Sequence, residues 1–523
     1  MRLISKNLSI ISFFALCAMT MGCNQLKEEL EIPGSEPGID TAVSVTTTVQ
    51  FDETAAANLS AAGLNTFSEG ETIAVFYTDG SNNLVKSTYS LTAGDLIDGG
   101  KKASITVSMT DPKAGGAVRF IYPAAMSNDD GSVNYAALAM QDGKLETLAA
   151  NLNLATFVGT LTENAALPAS VTLSMQLAIL KLQITNGFAN VTNDIKQIII
   201  KNSENAAIVN NTSELDCLYA AIKPIPSGNI VFEASRYNRL HTNAIPGKTF
   251  LAGQIYQLSV PLWEVEGLLP GLFTIDANGR QVRFSQGNLQ AYFENAGTDH
   301  TWRFAEWQWD RLNASSANTA INGSGSVSII GAVDLFGWVG ASSPYNNYGI
   351  NNTLFSEDYG NKSGESLKND WGTLAITNGG NIANSGWRTL TKDQWEYLFS
   401  GRPNAQKLFC MGCVDGVPGV VILPDGCSID GWQSGYRPWA SNQIDIFTWL
   451  TYEDAGAVFL PVTNMRILNM VRNSYENYGF YWTSTANNTD DAYVLGFNYN
   501  FISAETTANR YHGYAVRLVR DAN

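Results

Sequence analysis

A multidomain, mostly β protein is what the sequence predicts, and three observations lead there. At 523 residues the chain exceeds what one hydrophobic core serves, so two to four domains are expected. Thr, Val, Ile, Tyr and Gly are common, and short alternating apolar–polar runs recur between turn residues, the pattern of half-buried strands. Helical signals are scarce, and beyond the first 22 residues no second long apolar run occurs. The net charge of −16, from 32 Lys+Arg against 48 Asp+Glu, argues against nucleic acid as a partner, because phosphate contacts need clustered cations.

The first element is an export signal. Arg2 and Lys6 precede an apolar stretch from Ile10 to Met21, shorter than the roughly 20 residues a spanning helix needs. It ends in Thr20-Met21-Gly22-Cys23, which resembles a bacterial lipobox. In that reading residues 1–22 are a lipoprotein signal peptide and Cys23 is the lipidation site. Acyl chains contribute about 0.8 kcal/mol per buried CH2, enough in combination to hold a protein on a membrane. Asn24-Gln25-Leu26-Lys27-Glu28-Glu29 resembles the signal that sends Bacteroidetes lipoproteins to the outer leaflet of the outer membrane. Residues 23–40, with Pro33, Pro37, Gly, Ser and Glu, suit a flexible linker.

Strands come next. Val43 to Phe51 alternates, and Phe67 to Phe76 leads into the turn Thr78-Asp79-Gly80-Ser81-Asn82, where Gly and Asn allow positive φ. Further strands are expected at 104–109, 118–122 and 171–175. The run 177–184 has an apolar start that predicts burial on both faces, becoming half exposed after Lys181. Strands at 198–200, 230–232 and 255–260 complete the set, and a break at Ala166-Leu167-Pro168 divides it into units at 41–165 and 166–265, both expected to be β-sandwiches. The 67–76 segment, the 177–184 strand and Lys248-Thr249-Phe250-Leu251-Ala252-Gly253-Gln254-Ile255-Tyr256 resemble the fimbrillin family of Bacteroidetes pilins. That resemblance implies two transthyretin-like β-sandwiches and a role in surface filaments or adhesion. Fimbrillins that polymerise are usually cut after an early Arg, which opens a groove for a neighbour's strand. Here no Arg occurs between Arg2 and Arg119, so standard processing is not expected.

After residue 265 the composition shifts. Trp is concentrated beyond residue 300, and Gly, Asn and Ser rise between 313 and 384, which predicts long irregular loops. A helix is expected near 387–399, with Thr391 well placed as N-cap, Gln394 as its capping-box partner, Trp395 and Leu398 on one face and Gly401 as the stop. Residues 387–402, Gly456-Ala457-Val458-Phe459-Leu460-Pro461, Tyr481-Trp482-Thr483-Ser484-Thr485 and 513–520 resemble, in order, the paralogous domain of Fibrobacter and Bacteroides surface proteins, a relative of the C-type lectin-like fold. The resemblance implies an α+β C-type lectin-like domain over 266–523, with a small sheet and one or two helices under a large loop region. The same 387–402 motif looks like that of formylglycine-generating oxidases, which bind copper through paired cysteines near the C-terminus. This chain has no Cys after Cys427 and at best an echo of that family's core motif in Asp334-Leu335-Phe336-Gly337-Trp338.

Candidate sites follow. Cys410, Cys413 and Cys427 cluster in sequence, and a disulfide using Cys427 is favoured over zinc in an oxidising compartment. Asn488, Asp490 and Asp491 offer oxygen ligands but read better as a solvated turn. The calcium-binding lectin motifs are absent, and no catalytic set is recognisable; no enzyme, cofactor or metal is expected. Trp387, Trp395 and Trp482 read as core. Trp432, Tyr436 and Trp439, in the Gly/Pro-punctuated stretch 431–441, offer flat faces to sugars or proteins and are the ligand-binding candidates. The expected whole is a surface-exposed outer-membrane lipoprotein acting in adhesion, as the tip adhesin of a fimbrium, with the final strand near Asn523 leaving no tail to donate. The alternative is a stand-alone glycan- or protein-binding lipoprotein. Expected partners are the outer membrane through the lipid anchor, other pilin subunits and a host or community glycan or protein.

Overall fold

The computed structural model describes residues 42–52, 65–312, 316–338, 347–352, 370–472 and 477–522. The signal peptide, Cys23 and the linker to residue 40 lie outside the described residues. The fold is mostly β and multidomain, and no helix among the described residues is long and apolar enough to cross a membrane.

Eight strands build the first unit: β1 (Ala42–Phe51), β2 (Thr72–Thr78), β3 (Leu84–Ser90), β4 (Leu96–Ile97), β5 (Lys102–Thr110), β6 (Ala117–Tyr122), β7 (Ala155–Thr160) and β8 (Ser170–Met175). They form one hydrogen-bonded order, β3-β2-β6-β7-β8-β1-β5-β4, rather than two separate sheets. Alternation sets the inner face: Ala103, Ile105, Val107 and Met109 on β5 and Val171, Leu173 and Met175 on β8 are buried while their neighbours are not. A twisted sheet this wide curls. Its ends meet where the Thr110 amide donates to the Tyr77 hydroxyl (2.7 Å) and the Gly80 amide to the Asp111 carbonyl (2.8 Å). In the β2–β3 turn it is Asn82 that takes positive φ (67°). At Gly80 a Cβ would lie 2.5 Å from the Asp111 carboxylate, so a larger residue there would have to push that side chain aside.

The expected division at 165/166 falls one strand early. β8 pairs in parallel with β1 (Thr48↔Ser170 to Phe51↔Leu173) and antiparallel with β7, so it belongs to the first sheet. Pro168 breaks the chain locally, yet its carbonyl accepts from the Thr47 hydroxyl at 2.6 Å and ties the break to β1.

The second unit contains β9 (Ala178–Thr185), β10 (Ile195–Lys201), β11 (Ala206–Asn210), β12 (Leu218–Ile222), β13 (Ile225–Arg236), β14 (Arg239–Phe250), β15 (Ile255–Pro261) and β16 (Trp263–Glu264). They form a five-stranded sheet, β11-β10-β13-β14-β16, and a three-stranded one, β12-β9-β15. β9 is the central strand of its sheet. Ala178, Ile179 and Leu180 are all buried, and alternation begins at Lys181, as its sequence pattern predicts. The two units share one apolar interior. Gln141, between β6 and β7, staples them: its side chain donates to the Ala221 carbonyl (3.0 Å) and accepts from the Ala221 amide (2.6 Å), while its backbone pairs with Ile208 and Asn210.

The C-terminal module is α+β, with several small sheets. β17 (Phe273–Thr274), β18 (Gln281–Phe284), β19 (Leu289–Phe293), β20 (Thr301–Phe304), β21 (Gly331–Val333) and β22 (Arg388–Thr389) precede the hairpin β23 (Phe409–Val414) and β24 (Val417–Ile422); β25 (Gln443–Ile444), β26 (Val458–Pro461), β27 (Met465–Ile467), β28 (Met470–Arg472), β29 (Gly479–Ala486), β30 (Asp491–Asn498), β31 (Phe501–Asn509) and β32 (Leu518–Asp521) follow. β32 is interior to its sheet, between β18 and β22. The helix Lys392–Glu396 carries the expected capping box: the Thr391 hydroxyl accepts from the Gln394 amide, and the Gln394 side chain accepts from the Thr391 amide, both at 3.1 Å. It continues as a π-helical turn, Tyr397–Gly401. Gly401 ends it through space rather than left-handed backbone, since a Cβ would sit 2.3 Å from the Tyr397 ring. Trp387, Trp395 and Trp482 are buried.

Candidate functional site

The candidate loop hangs on the β23–β24 hairpin. Extended residues around Gly435 lie along β23: the Met411 amide donates to the Gly435 carbonyl (3.0 Å) and the Gly435 amide to the Phe409 carbonyl (2.7 Å). β25 then pairs in parallel with the end of β23, and the Asn442 side chain donates to the Met411 carbonyl at 2.7 Å. The loop is therefore held at both ends by a buried strand.

The three candidate aromatics sit on two sides of that strand. Trp432 is half-buried, donates its indole N–H to the Lys407 carbonyl (2.8 Å) and meets Tyr452 edge-on at 5.5 Å. It packs on the small apolar cluster around Trp449. Tyr436, 46% exposed, stands edge-on to Phe409 at 5.5 Å, and Trp439 meets Tyr499 at 6.3 Å; Trp439 packs on the larger core around Trp395. Tyr436, Trp439 and Tyr499, itself 41% exposed, make the aromatic surface at this end. Tyr499, in the β30–β31 turn, went unnoticed in the sequence because only the register of that hairpin brings it alongside. The Trp439 indole nitrogen is buried without a hydrogen-bond partner.

The cysteine cluster dissolves on folding. Cys410 and Cys413 both lie on β23, and a three-residue separation on a strand points them to opposite faces. Cys217, Cys410, Cys413 and Cys427 are free thiols, so the expected disulfide is absent. Burial pushes the Cys410 thiol up to about 12 and Cys427 up to about 11, the direction of an inert structural thiol rather than a reactive thiolate. No group of three or more potential metal ligands occurs among the described residues. At the 488–491 turn the Asn488 side-chain oxygen accepts from the Asp490 and Asp491 amides (2.8 and 2.7 Å), and the Asp491 carboxylate accepts from Asn509 (2.7 Å). The Arg510 guanidinium donates to the Asn488 carbonyl beneath it. The Asn488 and Asp491 side-chain oxygens are thus engaged by the turn and by Asn509.

Among the described residues, larger cavities lie elsewhere. One of about 490 Å³ opens between the segment that includes Met126, Met140 and Leu148 and Tyr219 of β12. Its walls are mostly apolar, and the Glu71 carboxylate on its rim is engaged by Tyr122 and the Ser68 amide. A second, of about 270 Å³, separates the β13–β14 turn from the C-terminal module and is lined by Asn238, Arg239, Gln286, Glu306, Trp307 and Asp454, among others. No sequence motif marks it, because four segments separated in the chain build its walls.

No family model matches the chain, and no curated protein matches it significantly. Solved structures do match. A fimbrial assembly protein from Parabacteroides distasonis is 12% identical, with a TM-score of 0.26, over 47% of this chain and 96% of its own. A candidate cell adhesion protein from Bacteroides fragilis is 14% identical, with a TM-score of 0.23, over 46% of this chain and 87% of its own. A fimbrial protein from Bacteroides ovatus extends over 87% of this chain and 95% of its own, at 12% identity and a TM-score of 0.20. The chain's structural neighbours thus include fimbrial and adhesion proteins of Bacteroides and its relatives. At these scores the likeness decides neither fold nor function, which rest on the residues above.

Proposed function

We propose that the protein is a surface lipoprotein, anchored through Cys23, that displays the C-terminal module for adhesion and contacts its ligand through Tyr436 and Trp439, with Trp432 bracing the loop behind them. The observation that carries this reading is the loop itself: the exposed Tyr436 and the half-buried Trp439 on a backbone clamped to β23 at both ends, a rigid apolar surface with little ordering left to do on binding. The two β units act as a stalk and the module, lectin-like in its ordered motifs, as the head; the role is binding rather than catalysis. A place at the tip of a fimbrium is consistent with β32, which is interior to its sheet and so not free for donation to a neighbour.

A second reading, a stand-alone binder outside any filament, is favoured by β1. It is flanked by β5 and β8, and the first Arg after residue 2 is Arg119, inside β6, where a cut would sever an interior strand. With β1 retained, the groove a neighbour's strand needs stays filled.

Immunogold electron microscopy of intact cells, with antibody against residues 266–523, separates these readings. Gold at filament ends supports the tip adhesin. Gold spread over the membrane leaves the stand-alone binder. Labelling only after permeabilisation refutes surface display.

A further inference from the structure

We infer that the cleft between the second β unit and the C-terminal module is a binding site for a neutral sugar ring. The inference deepens the adhesion reading by naming a ligand class, and rests on it for the presence of glycans near the chain.

One wall is the β13–β14 turn. Tyr237 and Asn238 both have positive φ (48° and 53°), the backbone of a tight two-residue hairpin. The facing wall carries Glu306 and Trp307, just after β20, and Leu450 and Asp454 on the helix Ile446–Asp454. The volume, about 270 Å³, falls just under the range of roughly 300–1,000 Å³ typical of drug-sized ligands and suits a single six-membered ring.

Trp307 supplies the platform. Its ring stacks on Trp309 (5.3 Å, 11° between planes), and Trp309 meets the buried Trp449 edge-on at 6.4 Å. One face of Trp307 is thereby taken, and the 47% of the residue that is exposed is the other face and its edge. The Trp307 amide donates to the Asp310 carboxylate at 3.0 Å, which holds the backbone from which the ring projects. A flat apolar face of this kind matches the C–H face of a pyranose.

Asn238 supplies the polar counterpart. It is only 8% exposed, and its side-chain oxygen has no hydrogen-bond partner. Leaving such an acceptor unsatisfied is costly; it has no accessible surface as the side chain stands, so a ligand hydroxyl satisfies it once the Asn238 amide turns into the cleft. Gln308, by contrast, is saturated: it donates to Glu453 (3.0 Å) and the Ala457 carbonyl (3.2 Å) and accepts from the Phe459 amide (2.8 Å) and Arg517 (2.9 Å). It braces the floor and leaves recognition to the rim.

Charge selects against acids. The carboxyls of Glu306, Glu453 and Asp454 face one guanidinium, that of Arg239, which lies 3.6 Å from Glu264. An anionic sugar would meet net repulsion. The cleft is also preorganised: a buried ion pair, Arg283–Glu233 at 2.7 Å, crosses between the walls' parent units, and the Leu240 amide donates to the Leu268 carbonyl at 3.3 Å.

The test titrates the full chain with the methyl glycosides of glucose, galactose, mannose and N-acetylglucosamine, and with sialic acid, followed by saturation-transfer NMR and tryptophan fluorescence. At least one neutral glycoside is expected to bind. Trp307→Ala should weaken it at least about tenfold. Asn238→Gly, which keeps the positive φ, should weaken it at least about threefold. Sialic acid should give no transfer. Silence from every neutral glycoside, equal binding of sialic acid, or unchanged binding in both variants overturns the proposal. Cell-surface labelling is read separately: a silent cleft on a surface-labelled protein sinks this site alone, whereas sugar binding without surface labelling sinks the adhesion reading.

Discussion

The N-terminal β units and the C-terminal module hold their interiors by different means. Among the described residues, every buried charged side chain lies in the module: Arg283, Asp334, Asp370, Arg388, Arg402, Glu453, Arg466, Arg510 and Arg517. The buried polar residues of the β units, such as Thr47, Gln141 and Asn211, are neutral. The cause is the backbone. Sheets satisfy their own N–H and C=O groups, whereas long loops leave carbonyls that need imported donors. The module imports them on large side chains. Arg466 donates to the Leu335 (2.9 Å) and Gly349 (2.7 Å) carbonyls. The indoles of Trp338, Trp371 and Trp387 donate to the carbonyls of Thr483, Tyr348 and Gly379. A guanidinium carries five donors in a rigid fork, and an indole brings one donor on a large apolar body.

The largest expected effect tests that difference directly. Arg466→Ala removes the donor to the Leu335 carbonyl, leaves the Gly349 carbonyl with the Gly337 amide alone, and removes the positive charge that acts on the buried Asp334 carboxyl. The expected loss is about 3–5 kcal/mol, confined to the module. In urea, tryptophan fluorescence should report an early transition, because the tryptophans concentrate there, while the far-UV signal of the β units keeps its midpoint. If both signals move together, the two interiors are one cooperative unit and the comparison fails.

Asp334 sharpens the same contrast through pH. Burial pushes its carboxyl up to about 6, against an ordinary value near 4. The native state therefore binds its proton more tightly than the unfolded chain does. The stability this contributes is fully present below about pH 4 and is lost as pH rises through about 6, on the order of 3 kcal/mol. Asp334→Asn should flatten the module's stability between pH 4 and 7. A wild-type profile already flat in that window would show the carboxyl to be ionised in the fold. The β units, without buried charge, should show no such slope.

What the sequence revealed divides along the same line. The period-2 patterns of β5, β8 and β9 declare their buried faces, because a strand's inner residues alternate whatever its partner. Partners are another matter. Pro168 reads as a boundary, yet β8 pairs with β1, more than a hundred residues earlier, and no local signal records that. Cys410 and Cys413 read as a pair only until β23 places them on opposite faces. Of the candidate ligand-binding aromatics, the loop nature of 431–441 was legible from its Gly and Pro residues, but the separation of Trp432 from Tyr436 and Trp439 depends on which core each ring leans on. The Trp307 cleft was not legible at all: Asn238 is in an ordinary hairpin turn, and only assembly of the two units sets it opposite an indole.

The smallest expected effect falls on the feature most plainly written in the module's sequence. Thr391→Ala removes the hydroxyl that accepts from the Gln394 amide. The reciprocal half of the box survives, because the Gln394 side-chain oxygen still accepts from the backbone amide at position 391 and is held in place by Arg388 Nη1 at 2.9 Å. The loss should therefore sit at the lower end of the usual range for a cap, about 0.5–1 kcal/mol, read as a small shift of the fluorescence midpoint in urea. A loss several times larger would mean that the helix Lys392–Glu396 depends on its cap more than on the burial of Trp395 and Leu398. Local capping is visible in sequence because its two partners lie three residues apart. The Arg466 contacts, more than a hundred residues from their carbonyls, are invisible there for the reason that makes them matter: they close loops that nothing local can close.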